Sequence, residues 1–148
     1  SSLWFKYIVF FQLVFLIIIL KDFIMASHLG FSETVSPNDL VIRNGIFYKK
    51  FTDVPFIGDV SGQQNGTIIN GKRDGFWESY YENGQLNWKG NYKDDCLDGP
   101  WEYYYDNGQL SYKGNYIGGK EDGIFEHYKE TGKFHKKDKW KNGKVIFK

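Results

Sequence analysis

Apolar and polar residues alternate along much of this chain with the period of two that is typical of β-strands. The clearest case is the segment 86–92, in which alternate positions are held by Leu86, Trp88, Gly90 and Tyr92. Asn-Gly follows one such segment at Asn83-Gly84 and the next at Asn107-Gly108. Asn-Gly between aromatic strands is a strong signal for a β-hairpin, because both residues tolerate a positive φ.

The alternating segments recur with a constant period. Fourteen of the 24 positions in 74–97 are identical to those in 98–121, and a more divergent unit begins at Asp122. Each unit is predicted to be a hairpin, with turns at 82–85 and 106–109. A longer connection, 93–99, is expected to lead from the first hairpin into the second.

The recurring residues predict how the two faces of the sheet are occupied. Trp77, Trp101 and Phe125 form one series, and Tyr80, Tyr104 and Tyr128 form another, three positions further along. Positions three apart in a strand point to opposite faces, so neither face is wholly polar. Glu78, Glu102 and Glu126 also recur, and we expect them to form a structural ladder with Lys89 or Lys113 on neighbouring strands.

The predicted fold is all-β: repeated antiparallel hairpins in an open, twisted, single-layer meander. One hairpin cannot bury its aromatic face alone, whereas stacked hairpins can. Residues 33–73 are interpreted as an atypical N-terminal cap of the array, and 74–148 as the repeat domain, with units from about 74, 98 and 122.

The N-terminal segment has a different character. Tyr7–Leu20 is an uninterrupted run without a charged residue. As a helix it would span about 21 Å, less than the roughly 30 Å hydrocarbon core of a bilayer. Residues 1–32 are therefore predicted to be a signal peptide or membrane anchor containing a hydrophobic helix, and the product to be exported: periplasmic, secreted or membrane-tethered. A buried core helix is the alternative, and translation from Met25 would give a cytoplasmic product.

Composition argues against several function classes. The single Cys96 excludes an intramolecular disulfide, and one Cys with three His argues against a structural zinc site. No G-x-S-x-G, Walker or H-E-x-x-H motif is present. We predict no catalytic, cofactor-binding or metal-binding residues, and interpret His127 and His135 as surface or packing residues.

Charge is unevenly distributed although the net charge is only +1. Residues 74–128 carry a net charge of −7 and residues 129–148 a net charge of +6. The C-terminal lysines are Lys133, Lys136, Lys137, Lys139, Lys141 and Lys144. They are predicted to guard the edge of the array against further strand pairing, or alternatively to contact an anionic membrane. The net negative charge of residues 74–128 argues against nucleic acid as a partner, because the phosphate backbone would be repelled.

The repeat resembles the MORN repeat, in the variant found in bacterial proteins described as antitoxin components of toxin–antitoxin systems. The resemblance lies in YYENGQLNWKGNYKDDCLDGPWEYY at 80–104 and YYDNGQLSYKGNYIGGKEDG at 104–123. In the first of these segments, Asp95 and Cys96 replace the usual Gly-Lys of the linker turn. The resemblance implies a MORN-like fold. It also implies a scaffold or lipid-associated role, or an antitoxin that neutralises a toxin by direct binding.

The function predicted from these observations is a non-enzymatic protein-binding or scaffold module. Tyr and Trp dominate interface hot spots, so the aromatic ladder is the expected contact surface. The candidate partner-binding residues, which a role in the core explains equally well, are Trp77, Tyr81, Trp88, Trp101, Tyr105 and Tyr112. The glycines predicted to have a structural role in turns are Gly84, Gly108 and Gly132.

Overall fold

A computed structural model describes residues 32–147, and from Thr34 onward these residues form one unit. They consist of strands joined by short turns, with one 3₁₀ turn at Pro37–Asp39 and no α-helix among them. The strands are β1 (Thr34–Val35), β2 (Leu40–Arg43), β3 (Ile46–Lys49), β4 (Gly58–Val60), β5 (Gln64–Ile69), β6 (Lys72–Tyr80), β7 (Leu86–Lys93), β8 (Cys96–Tyr104), β9 (Leu110–Ile117), β10 (Lys120–Glu121), β11 (Gly123–Tyr128), β12 (Phe134–Lys141) and β13 (Lys144–Phe147).

The strands form one long open sheet in the order β1-β4-β5-β6-β7-β8-β9-β11-β12-β13, with β10 paired to β9. All neighbours are antiparallel except β1 and β4, and β2 and β3 form a separate hairpin. The prediction of an all-β, open antiparallel sheet is confirmed. The N-terminal hydrophobic helix was predicted within 1–32, and Tyr7–Leu20 lies outside the described residues.

The period of the sequence is also a spatial period. Trp77 pairs with Gly90 across β6 and β7, and Trp101 pairs with Gly114 across β8 and β9. Each hairpin has a register shift at the same place, just before Tyr80 and Tyr104. Successive hairpins therefore present equivalent residues at equivalent positions along the sheet.

The sheet from β6 to β12 has two distinct faces. The first, called here the aromatic face, carries Trp77, Trp88, Tyr92, Trp101, Tyr103, Tyr112, Tyr116, Phe125 and Trp140. The second, called here the charged face, carries Glu78, Lys89, Glu102, Lys113, Glu126 and Lys137, with Tyr104 and Tyr128. The predicted separation of the Trp77 series from the Tyr80 series is confirmed.

The turns at one edge of the sheet lie where the sequence predicts them. Between β6 and β7, the Gly84 N–H donates to the Tyr81 carbonyl (2.9 Å) and the Tyr81 N–H to the Gln85 carbonyl (2.8 Å). In this turn only Gly84 has a positive φ, +83°. Asn83 contributes its side chain instead, whose Oδ1 accepts from the Gln85 N–H at 2.9 Å.

The turns at the opposite edge are tighter than expected. Each is closed by two residues with positive φ, and the turns that recur with the repeat are Asn70-Gly71, Asp94-Asp95, Gly118-Gly119 and Asn142-Gly143. The predicted connection over 93–99 is wrong, because β8 begins at Cys96 and already includes Asp98-Gly99. Both aspartates of the second turn adopt the left-handed conformation that a two-residue turn requires.

The N-terminal strands cover one end of the aromatic face. The buried cluster there consists of Val35, Phe56, Val60, Ile68 and Trp77. Leu40 of β2 and Phe47 of β3 pack against this cluster. The aromatic face is therefore an ordinary two-sided core at its N-terminal end, and its side chains cover one another further along.

Candidate functional site

The aromatic face is built on rings that fill the space above glycine residues. The pairs recur with the repeat: Gly66 with Trp77, Gly90 with Trp101, and Gly114 with Phe125. In each pair, a β-carbon on the glycine would lie only 2.1–2.4 Å from the ring. The three rings are consequently only 2%, 7% and 3% exposed. A glycine on one strand thus allows a large ring of the next strand to be buried in a single sheet.

A second set of rings packs around this buried row and stays half-buried. Trp88 is stacked on Trp101 with ring centroids 4.8 Å apart, and Tyr103 on Tyr112 at 5.5 Å. Tyr92 meets the edge of Trp101 at 5.8 Å. Stacked and edge-to-face aromatic pairs are favourable beyond the area they bury. The rings therefore form a fixed, partly solvent-accessible surface.

The predicted partner-binding residues fall into three environments. Trp77 and Trp101 are buried over glycines, as described above. Trp88 and Tyr112 are half-buried on the aromatic face. Tyr81 and Tyr105 lie beside the turns, and each hydroxyl donates to a backbone carbonyl of the following hairpin. Partner contact by these residues stays a prediction.

Tyrosine and asparagine side chains tie successive hairpin turns together. The Tyr81 hydroxyl donates to the Tyr104 carbonyl at 2.7 Å, and Asn83 Nδ2 donates to the Asp106 carbonyl at 2.8 Å. The next hairpin repeats both bonds. Burial and a hydrogen bond with Tyr103 raise the pKa of Tyr81 to about 12, so its hydroxyl stays protonated. The turn glycines Gly84, Gly108 and Gly132 have φ values of +83°, +82° and +76°.

The charged face is a ladder of alternating signs. Lys89 Nζ lies 3.0 Å from Glu102 Oε2, and Lys113 Nζ lies 3.0 Å from Glu126 Oε2. This pairing confirms the structural ladder predicted for Glu102 and Glu126, whereas Glu78 accepts a hydrogen bond from Asn65 Nδ2 at 3.2 Å. A hydrogen bond from Tyr104, together with Lys89, holds the pKa of Glu102 below its usual value. The charges within these two ion pairs neutralise one another, so this part of the charged face has little free charge to offer a ligand.

The last unit departs from the repeat on the aromatic face. Position 138 continues the glycine series 66, 90 and 114, yet it holds Asp138, which is only 3% exposed. Asp138 Oδ2 lies 2.8 Å from Lys136 Nζ and 3.1 Å from His127 Nε2. The hydrogen bond from Lys136, opposed by burial, holds the pKa of Asp138 below its usual value. Asp138 is not among the residues predicted from the sequence, although the break in the glycine series at position 138 is a visible signal.

Beside these residues is a small pocket of about 180 Å³. The residues lining it are Tyr112, Tyr116, Glu121, Phe125, His127 and Trp140. Glu121 and His127 occupy positions that hold Leu97 and Tyr103 in the preceding unit. The pocket therefore combines aromatic walls from the repeat with one acidic group that is particular to this unit.

The described residues offer little that resembles catalytic chemistry. Within 32–147, no group of three His, Cys, Asp or Glu side chains is placed to hold a metal ion. Cys96 is exposed at the start of β8. In the same part of the chain, no helix is long and apolar enough to span a membrane.

The C-terminal lysines line the edge of the sheet only in part. Lys133 precedes β12, and four others lie in β12, which pairs with β13 only at Lys139, Trp140 and Lys141. Among the described residues, Lys136 and Lys137 therefore lie where β12 has no partner strand on that side, and Lys144 lies in the outermost strand, β13. The edge-guard hypothesis is wrong for Lys139 and Lys141, because the Asn142-Gly143 turn places another strand beside them, and it stays a prediction for the other four lysines. Contact with an anionic membrane stays a prediction.

Two segments of the repeat region match a known family model. Residues 73–94 and 97–117 each match the MORN repeat variant, which supports the MORN family that the sequence resembles. The two matches are offset by one repeat unit and correspond to the hairpins β6–β7 and β8–β9. No curated protein matches the chain. MORN repeats suggest a repeat-type binding or scaffold module, and the match carries no information on toxin neutralisation or lipid binding.

Proposed function

We propose that this chain is a non-enzymatic scaffold whose repeat region binds a protein partner through the aromatic face, beyond the end that β2 and β3 cover. The observation that carries the proposal is the row of half-buried rings held by stacking contacts, such as Tyr103 on Tyr112 at 5.5 Å. Rigid aromatic side chains supply contact area at a low cost in conformational entropy. Trp and Tyr are also the residues most often found at interface hot spots.

The charged face is less suitable than the aromatic face for binding a protein partner. Two of its lysines already pair with glutamates, Lys89 with Glu102 and Lys113 with Glu126, each at 3.0 Å. A partner would have to replace these pairs, and exposed ion pairs contribute little net free energy. The aromatic face offers solvent-accessible ring surface instead, which a protein can cover and dehydrate.

An antitoxin would be one instance of this function, with a toxin as the partner. Export or membrane tethering is a separate proposal, which depends on Tyr7–Leu20. Mass spectrometry of the mature N-terminus tests it, because cleavage near residue 32 supports a signal peptide and an intact first segment supports an anchor.

Capture of partners by the full chain and by matched variants tests the binding surface. Trp88→Leu and Tyr103→Leu each remove a half-buried ring, and Lys89→Gln changes the residue beside Trp88 that points to the opposite face. We expect a partner protein retained by the parent and by Lys89→Gln, and reduced at least about tenfold by either ring variant. Near-UV circular dichroism establishes that each variant is folded. A partner lost with Lys89→Gln but kept by both ring variants would assign binding to the charged face.

A further inference from the structure

The small pocket of the last unit has walls that suit a cation. The Tyr116 and Phe125 rings are 5.4 Å apart and nearly perpendicular, at 89°, and Phe125 and Trp140 are 6.2 Å apart at 63°. These edge-to-face pairs place three aromatic rings along the walls of one pocket. A cation over the face of Trp or Tyr is attracted by the ring quadrupole, most strongly where water is excluded.

One acidic side chain stands among these rings. Glu121 lines the pocket and forms no ion pair with any other residue of 32–147. Burial, the neighbouring Tyr112 hydroxyl and the Glu121 carboxylate together raise the pKa of Tyr116, so that hydroxyl stays neutral. Glu121 therefore supplies the negative charge of the pocket. Its counterpart in the preceding unit is the apolar Leu97.

A second acid lies next to the pocket wall. Asp138 Oδ2 is 3.1 Å from His127 Nε2, and the other carboxylate oxygen, Oδ1, is buried without a hydrogen-bond partner among the described residues. Since Lys136 shares Asp138, this carboxylate adds a hydrogen-bond acceptor rather than an uncompensated charge. Both acids occur where the earlier unit has uncharged residues, and Lys136, at the position of Tyr112, offsets the charge of Asp138 but not that of Glu121.

The size of the pocket limits its ligand. At about 180 Å³ it is smaller than the roughly 300–1,000 Å³ of pockets that enclose drug-sized molecules, and it suits a single side-chain group. An anion would be repelled by Glu121, and a neutral apolar group would gain nothing from the carboxylate. We propose that the pocket binds an ammonium group, presented as a lysine side chain by the protein partner. The inference rests on the proposed function only in naming the partner as the source of that group.

Titration of the full chain with small ammonium compounds tests the proposal. The probes are choline, its uncharged isostere 3,3-dimethyl-1-butanol, Nα-acetyl-lysine methylamide and the Nε-trimethyl form of that amide. The readout is the NMR signal of the Trp140 indole N–H, which the variant Trp140→Leu identifies by its loss. We expect choline and both lysine amides to shift this signal, with choline binding at least about fivefold more tightly than its isostere.

A pair of charge-removing variants shows whether the Glu121 carboxylate is responsible for choline binding. Glu121→Gln should weaken choline binding several-fold, whereas Glu130→Gln, the same change at an exposed turn residue, should leave it unaltered. Equal binding of choline and its isostere, or no shift of the Trp140 signal with any probe, would overturn the proposal. Binding of choline without either lysine amide would overturn the lysine source and assign the pocket to a small quaternary ammonium compound. The proposed function is tested separately. If Trp88→Leu loses the partner protein, the proposed function holds even where the choline titration overturns the ammonium pocket or its lysine source.

Discussion

The indole ring of Trp101 lies so close over Gly90 that a β-carbon on residue 90 would be 2.1 Å from the ring atom Cε3. The ring is 7% exposed, and the rings of Trp88, Tyr92 and Tyr116 pack against it. The glycine and the ring belong to neighbouring hairpins. Each hairpin thus depends on the next one for its burial, which is the property expected of a repeat array.

Adding one methyl group beneath this ring should be costly. Gly90→Ala is expected to lower the free energy of unfolding by about 1–3 kcal/mol, because neither the ring nor the β7 backbone can move without breaking other contacts. Urea denaturation of the full chain measures this loss. In a Trp101→Leu background the same substitution should cost clearly less. An equal cost in both backgrounds would show that the ring is not what the methyl group meets.

The turn glycines are constrained for another reason. Gly84 has a φ of +83°, and a β-carbon there would meet nothing within 4 Å. Gly84→Val should therefore destabilise the protein by about 1–2 kcal/mol through backbone conformation alone. Gly84→Asn should cost less, since Asn tolerates a positive φ. Thermal midpoints distinguish the two variants, and similar midpoints would contradict the backbone explanation.

How far the sequence predicted the structure differs from feature to feature. The strand pattern, the 82–85 turn and the glutamate–lysine ladder could be predicted, because alternation, Asn-Gly and the repeat period are local signals. The turn at Asp94-Asp95 could not be predicted, since Asp95 is held in the left-handed region by contacts with Arg73, which lies 22 residues earlier at the start of β6. The acidic pocket was missed because Asp138 and Glu121 are conspicuous only once their positions are compared with earlier units.

Stability should depend on pH through the charged face. A hydrogen bond from Tyr104 and the neighbouring Lys89 depress the pKa of Glu102 in the folded state. A depressed carboxyl pKa stabilises the fold above the unfolded-state pKa, about 4.3 for Glu, and this contribution is lost as the pH falls through the folded-state pKa. Glu102→Gln should thus destabilise the protein at pH 7, by up to about 1 kcal/mol, and by less at pH 3.

Urea denaturation at the two pH values measures the change, with Glu130→Gln as the exposed control. That control should show no comparable pH-dependent difference from the parent. A cost of Glu102→Gln that is the same at pH 3 and pH 7 would mean that the ionised carboxylate contributes nothing through its partners.

Asp95 combines a strained backbone with an ion pair, and the two effects can be separated. Its φ is +68°, in a position that holds glycine in the other turns of the period. Its N–H donates to the Arg73 carbonyl at 3.0 Å, and its carboxylate accepts from Arg73 Nε at 2.7 Å. The guanidinium also lies 4.1 Å from the centre of the Tyr92 ring. Arg73 therefore links the tight turn to the aromatic face.

Asp95→Ala should destabilise the protein by about 1–2 kcal/mol, because it removes the ion pair and the short polar side chain that lets Asp adopt the left-handed conformation more readily than Ala. Asp95→Gly should cost less than Asp95→Ala, since glycine adopts this conformation without steric penalty. Combining each variant with Arg73→Gln in a double-mutant cycle isolates the ion pair, and the coupling should be equal for both. Equal costs for Ala and Gly would show that the left-handed backbone is unstrained here, and that the ion pair alone explains why Asp95 is tolerated.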